Sequence, residues 1–125
     1  LSKIGIKNVY LLGNKKDIFK YLYSAEIFLS TSLYEGHPIS ILEAISIGLP
    51  ILASNVTGNC DTIKHGHAGF YYKLGNIKEA ANLILKIMED NNLKKQLSFN
   101  AFNTHRKLFT VEKLRNSLKS VYQKY

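Results

Sequence analysis

The 125-residue chain has one cysteine, two prolines and only nine acidic side chains, and no apolar run is long enough to matter by itself. The single thiol, Cys60, cannot form an internal disulfide, which excludes a disulfide-built scaffold and suits a reducing compartment. Two prolines and eight glycines exclude a collagenous chain, and 46% hydrophobic residues exclude a disordered one. The most apolar stretch, residues 41–53, is interrupted by Glu43, Gly48 and Pro50 and cannot span a membrane. No signal-peptide pattern opens the chain. With its single cysteine suited to a reducing compartment, a cytoplasmic protein is expected. There is also no G-x-G-x-x-G and no Gly-Lys-Ser/Thr, which argues against dinucleotide redox and nucleoside-triphosphatase chemistry.

What is present is mostly basic. Seventeen Lys and Arg against nine Asp and Glu give a net charge of +8, unevenly distributed. Residues 1–34 carry +3, residues 35–93 carry −2, and residues 94–125 carry +7. A basic end on a near-neutral middle points to an anionic partner such as nucleic acid, acidic lipid or a phosphate-bearing substrate. A solvated helix face that keeps the chain soluble explains it equally well.

Hydropathy patterning predicts alternating strands and helices, then helices alone. Residues 9–12 read as a strand closed by Gly13-Asn14, residues 17–24 as a helix, and residues 27–29 as a second, buried strand. Pro38 suits the first turn of a helix ending at Gly48; residues 50–53 and 69–72 read as further strands. Short apolar strands separated by helices imply an α/β fold, a mostly parallel sheet covered on both faces. From residue 77 the i, i+3, i+4, i+7 spacing of Ile77, Ala80, Ala81, Ile84, Ile87 and Met88 predicts a helix. Asn91-Asn92 is expected to break it, a second helix to run over residues 93–105, and Thr110 to cap a third. No repeat or linker divides the chain, so a single domain, 1–125, is expected.

The chemistry concentrates after the second strand. Glu35 precedes the helix and Glu43 lies in its second turn among Ile41, Leu42, Ala44 and Ile45, seven residues separating the two. A carboxylate on so apolar a helix sits either on a narrow exposed stripe or buried with a partner. No Lys or Arg lies between Lys20 and Lys64 to pair with it, whereas ligand hydroxyls could. In open α/β sheets ligands bind at the carboxyl ends of strands, and the first helical amides, those of Ile39 and Ser40, face that crevice and suit phosphate. Gly36 lets a ligand approach the backbone. Amides for phosphate and carboxylates for hydroxyls together fit a nucleotide or a nucleotide-sugar.

The ordered run Ser32-Leu33-Tyr34-Glu35-Gly36-His37-Pro38, Leu42-Glu43-Ala44, Gly48-Leu49-Pro50 and Ala53-Ser54, continuing through Gly58, Asp61, Ile63, Gly66 and Gly69, resembles retaining glycosyltransferases of the GT-B fold, the family-four type (glycosyl transferases group 1). The resemblance covers most of residues 9–75. It implies a Rossmann-like three-layer α/β/α domain, the C-terminal half of a GT-B architecture, followed by C-terminal helices. It implies a catalytic role for Glu35, which would bond hydroxyls of the donor sugar. Gly36, His37 and Ile39 would turn backbone amides toward the sugar and diphosphate, Glu43 would hold the ribose, and Gly13 and Asn14 would lie near the base. Neither metal nor cofactor is implied, the donor being a nucleoside-diphosphate sugar. His37 stands where the family often has an aromatic, and Asp61 where a glutamate is common.

Leu1 rather than Met, and the lack of the family's first basic strand–helix unit, suggest that the chain begins inside a longer protein whose N-terminal acceptor domain precedes it. The expected function is therefore half of a polysaccharide-building glycosyltransferase. This chain would bind the donor without transferring sugar; the parent would act on a glycan or lipid-linked acceptor and could associate peripherally with the inner face of the membrane. The rival reading is a non-catalytic α/β module whose basic C-terminal helices contact nucleic acid or an anionic membrane; under the transferase reading, nucleic acid is not expected as a partner. Cys60 reads as inert, and His65 and His67 in their glycine-rich turn are not expected to bind metal.

Overall fold

Within residues 8–123, which a computed structural model describes, three strands form a parallel sheet in the order β1 (Phe28–Ser30), β2 (Ile51–Ser54), β3 (Gly69–Tyr72). Phe28 is paired with Ile51, and Ile51 in turn with Gly69. Parallel strands need crossovers, and these are helical: α2 (Ile39–Ser46) joins β1 to β2, and α3 (Thr57–Thr62) joins β2 to β3. A short α1 (Phe19–Leu22) precedes the sheet; α4 (Ile77–Glu89), α5 (Asn91–Leu108) and α6 (Val111–Tyr122) follow it.

Alternation along β2 divides the interior in two. Ile51 and Ala53 pack with Ile41, Ala44 and Ile45 of α2, while Leu52 packs with Phe70, Tyr72 and Ile87 of α4 on the opposite face. α5 contributes Ala101 to the first cluster and Leu97 to the second, so one helix seals both. Ile41, Ile45, Ile51 and Ile87 are fully buried, each contributing roughly 1.5–3 kcal/mol over an exposed side chain. The three-layer α/β/α arrangement expected from the sequence is the one observed.

Several boundaries differ for identifiable reasons. Residues 9–12 are not a strand: they form exposed coil, with Tyr10 79% and Leu11 85% exposed. An extended segment becomes a strand only against a ladder partner, and none stands beside it among the described residues. Gly13 does turn the chain, at φ +65°. The helix expected over 17–24 is only the single turn of α1. The strand expected at 27–29 is not fully buried, because β1 is a sheet edge and leaves Leu29 46% exposed. Asn91-Asn92 does not break the helices. The break is at Asp90, whose carboxylate accepts from the Asn92 and Leu93 amides and so starts α5 two residues early. Thr110 caps α6 by accepting from the Lys113 amide, as expected, but the apolar face of α6 is left largely exposed among the described residues; Val111 is 74% and Leu114 61% exposed.

Candidate functional site

All three strands run the same way, so Ser30, Ser54 and Tyr72 close one end of the sheet. The turn from β1 to α2, residues 31–38, crosses that end. Local chemistry shapes it. Pro38, buried at φ −76°, stands immediately before α2, and the first intrahelical bond runs from the Ile41 amide to the Pro38 carbonyl at 3.0 Å. The amides of Ile39 and Ser40 precede that bond and, as donors of the helix start, have no acceptor among the described residues. Both residues are exposed. At the far end Gly48, at φ +77°, terminates the helix where a β-carbon would lie 3.1 Å from the Ser98 carbonyl oxygen.

Glu35 is half-buried in this turn, and its carboxylate accepts from the Ser32 hydroxyl at 2.6 Å. Its carbonyl accepts from the Gly58 amide at 3.2 Å, fastening the turn to α3. Glu43 is half-buried on α2, and its carboxylate makes no hydrogen bond or ion pair with any described residue. Both carboxylates are therefore placed as the sequence suggested, one in the turn and one on the helix that leaves it.

The remaining candidates divide. Gly36 is exposed, with open space where a β-carbon would stand. His37 is exposed and packs its ring 6.0 Å from Phe109, at the junction of α5 and α6. Gly13 and Asn14 lie on exposed coil, and no hydrogen bond among the described residues ties them to the Glu35 turn. Beside that turn a cleft of about 510 Å³ is lined by Leu33, Tyr34, Asn55, Val56, Thr57 and Asp61, among others. A cavity of about 560 Å³ lies between α3 and α5 and includes neither glutamate.

Other titratable groups here are occupied. Burial, then the Asp61 carboxylate, raises the pKa of Cys60, whose thiol donates to Asn55 Oδ1 at 2.9 Å; it is a poor nucleophile. His65 Nδ1 accepts from the Tyr71 amide at 3.0 Å. Tyr71 shares its one hydroxyl proton between the carbonyls of Asn59 and Ile63, and burial holds its phenol well above the usual range.

Three residues to which the sequence reading gave no role tie this end of the sheet together. Ser54 Oγ donates to the Ser32 carbonyl at 2.6 Å, and Asn59 Nδ2 donates to the Ser54 carbonyl at 2.9 Å. The Ser32–Glu35 contact had a local signal, a hydroxyl three residues before a glutamate. The Ser54–Ser32 contact spans 22 residues and had none.

The fold is that of the GT-B glycosyltransferases. A structure of Anabaena Alr3699/HepE in complex with UDP superposes with a TM-score of 0.93 at 25% identity, covering 99% of this chain and 35% of that one. The same protein has been solved in complex with UDP-glucose, at a TM-score of 0.88, 25% identity and the same coverage. The chain belongs to the family "Glycosyl transferases group 1", whose profile matches residues 2–104. It is 34% identical over 119 residues to the Escherichia coli UDP-Gal:alpha-D-GlcNAc-diphosphoundecaprenol alpha-1,3-galactosyltransferase, covering 93% of this chain and 30% of that enzyme. It is 26% identical over 118 residues to the capsular polysaccharide biosynthesis glycosyltransferase CapM of Staphylococcus aureus, covering 94% of this chain and 31% of that enzyme. The chain thus spans about 30% of the length of these relatives.

Proposed function

We propose that this chain is the donor-binding half of a retaining glycosyltransferase that moves a sugar from a nucleoside diphosphate to a glycan or lipid-linked acceptor. The observation that carries this reading is the placement of Glu35 and Glu43 around the start of α2, beyond the carboxyl end of β1. Glu43, a half-buried carboxylate unpaired among the described residues, is the ribose ligand. Glu35, already oriented by Ser32, accepts from sugar hydroxyls and is the catalytic group of this chain. The turn at Gly36 and His37 and the amides of Ile39 and Ser40 face the diphosphate, and their dipoles stabilise its charge as it leaves. That stabilisation needs no metal and no further cofactor. Gly13 and Asn14 are assigned to the base only through the family resemblance. Retention of the anomeric configuration comes to the reading by the same route, and so does the boundary at which 1–125 forms one domain completed by an N-terminal acceptor domain.

Support for the donor comes from relatives. The solved neighbour holds UDP in one structure and UDP-glucose in another. The lipid-linked acceptor follows the E. coli relative, whose name specifies a diphosphoundecaprenol substrate. Calorimetry of the chain against UDP, UDP-glucose and a panel of other nucleotide-sugars tests the reading. Binding of at least one, without sugar transfer by the chain alone, is expected. Robust turnover by these 125 residues, or indifference to every nucleotide-sugar, overturns it.

One observation favours a second role for the C-terminal helices. α6 presents Val111, Leu114, Leu118 and Val121 to solvent alongside Lys113, Arg115 and Lys119. A basic amphipathic helix of this kind suits peripheral contact with an anionic membrane, at the cytoplasmic face in this reading. No described helix is long and apolar enough to cross one. Steep salt-dependent binding to anionic vesicles, with nucleotide-sugars without effect, would make that the chain's main activity; the same response to DNA would indicate nucleic acid.

A further inference from the structure

We propose that Ser54 and Asn59 are positioning residues for Glu35, setting the direction of its carboxylate through Ser32. The inference rests on the donor-binding reading for its consequence but not for its geometry. Ser54 and Asn59 are both fully buried. Asn59 Nδ2 lies 2.9 Å from the Ser54 carbonyl and 3.3 Å from Ser54 Oγ. A carbonyl can only accept, so the Asn59 amide has one permitted orientation, with its NH2 toward Ser54. Ser54 Oγ, accepting from that NH2, keeps its own proton for the Ser32 carbonyl at 2.6 Å. The backbone of Ser32 is thereby fixed, and its hydroxyl donates to Glu35 Oε1 at 2.6 Å. Since that proton is committed to a carboxylate, Ser30 Oγ, 3.3 Å from Ser32 Oγ, supplies the proton in their contact. Every donor in the chain then points toward Glu35.

Two features show that this is more than packing. Asn59 Oδ1 is buried without a partner among the described residues. An apolar side chain of the same shape would avoid that orphan acceptor, so the position carries an amide at a cost to folding, and what the amide contributes is the bond to Ser54. The next residue back, Gly58, gives its amide to the Glu35 carbonyl at 3.2 Å. The turn is therefore held by α3 and the end of β2 at two main-chain points, residues 32 and 35, with the carboxylate bonded to the Ser32 hydroxyl.

The test reads the turn and the ligand separately. Amide hydrogen exchange by NMR is followed in Ser54→Ala and Asn59→Leu. The Gly58 amide is expected to exchange about tenfold faster in both. The Ile51 amide, bonded to the Ala68 carbonyl, and the Phe28 amide, bonded to the Pro50 carbonyl, are expected to keep their rates. Ser54→Thr, which retains the hydroxyl, is expected to restore slow exchange at Gly58. An unchanged Gly58 rate, or equal acceleration at Gly58, Ile51 and Phe28, overturns the proposal. Calorimetry with UDP and UDP-glucose supplies the second readout. The two variants, and Ser32→Ala at a half-buried position that perturbs folding least, should lose at least fivefold more affinity for UDP-glucose than for UDP. Equal losses mean a merely structural role and overturn it. If the unaltered chain binds no nucleotide-sugar of the panel, the donor-binding reading fails, and the exchange rates alone decide whether Ser54 and Asn59 hold the Glu35 turn; if it binds another nucleotide-sugar, that compound and its nucleoside diphosphate take the place of UDP-glucose and UDP.

Discussion

Gly58 lies so close beneath Glu35 that a β-carbon built on it would stand 2.4 Å from the Glu35 carbonyl oxygen and 2.6 Å from that of Gly36. The obstacle is backbone, which cannot swing aside as a side-chain tip can. Gly58→Ala must therefore lift the turn off α3, at a cost of about 1–3 kcal/mol. Denaturant unfolding should register that loss, and donor affinity should fall with it; a variant as stable as the parent chain contradicts the contact.

Glu43→Ala separates the two glutamates. Removing an acceptor of charged hydrogen bonds costs roughly 1.5–3 kcal/mol, or about 10- to 150-fold in affinity. The loss is expected for UDP and UDP-glucose alike, because a ribose is common to both. Glu35→Ala should weaken UDP-glucose selectively. Equal titration curves for the Glu43 variant and the parent chain would remove the ribose assignment.

Ile87 is fully buried against Leu52, Phe70 and Leu97 and takes no part in the site. Ile87→Ala should cost about 2–5 kcal/mol through lost burial and the cavity left behind. Nucleotide affinity of the folded variant, measured well below its Tm, should match that of the parent chain.

His105 gives a pH dependence whose sign follows from its burial. Desolvation holds its pKa below the ordinary 6.5, so on acidification the unfolded chain takes the proton first. Its contribution to stability is complete above about pH 6.5 and is lost progressively as the pH falls toward the lowered value. Tm recorded from pH 8 to 5.5 should decline more steeply in the parent chain than in His105→Gln. Parallel profiles would mean that His105 titrates alike in both states.

Lys94 and Glu26 form an ion pair at 2.6 Å, joining α5 to the segment before β1. Glu26 is more than half exposed, so solvent screens the pair and its worth is under about 1 kcal/mol. Lys94→Met should lower stability by that small amount in dilute buffer and by less in 1 M salt.

Signals that act over a few residues were readable in the chain. Gly69–Tyr72 is the strand its apolar run suggested, α4 begins at Ile77 behind an Asn76 cap, and Thr110 caps α6. The start of α5 was misplaced because the cap is Asp90, whereas Asn91-Asn92 had the look of a break. Residues 9–12 have strand composition without a strand's partner, and pairing is not a property of the segment alone. In the site, Glu43 stood out because a carboxylate is costly on so apolar a helix, and Glu35 because it stands in the turn before that helix and matches the family's motif. Ser54 and Asn59 did not, because small polar residues after a strand are ordinary, and their importance comes from what folding brings against them.

The open side of β1 bears on how this chain behaves in a tube. Along Phe28–Ser30 one row of backbone groups pairs with β2, the other has no strand partner among the described residues, and Leu29 stands beside it 46% exposed. Such an edge can take up a strand from a second copy of the chain. The net charge of +8 keeps copies apart in dilute buffer, but at physiological ionic strength repulsion fades beyond about 8 Å. Colloidal behaviour is therefore governed by salt: adding it to quiet the basic helices also removes the barrier that keeps one sheet edge from finding another.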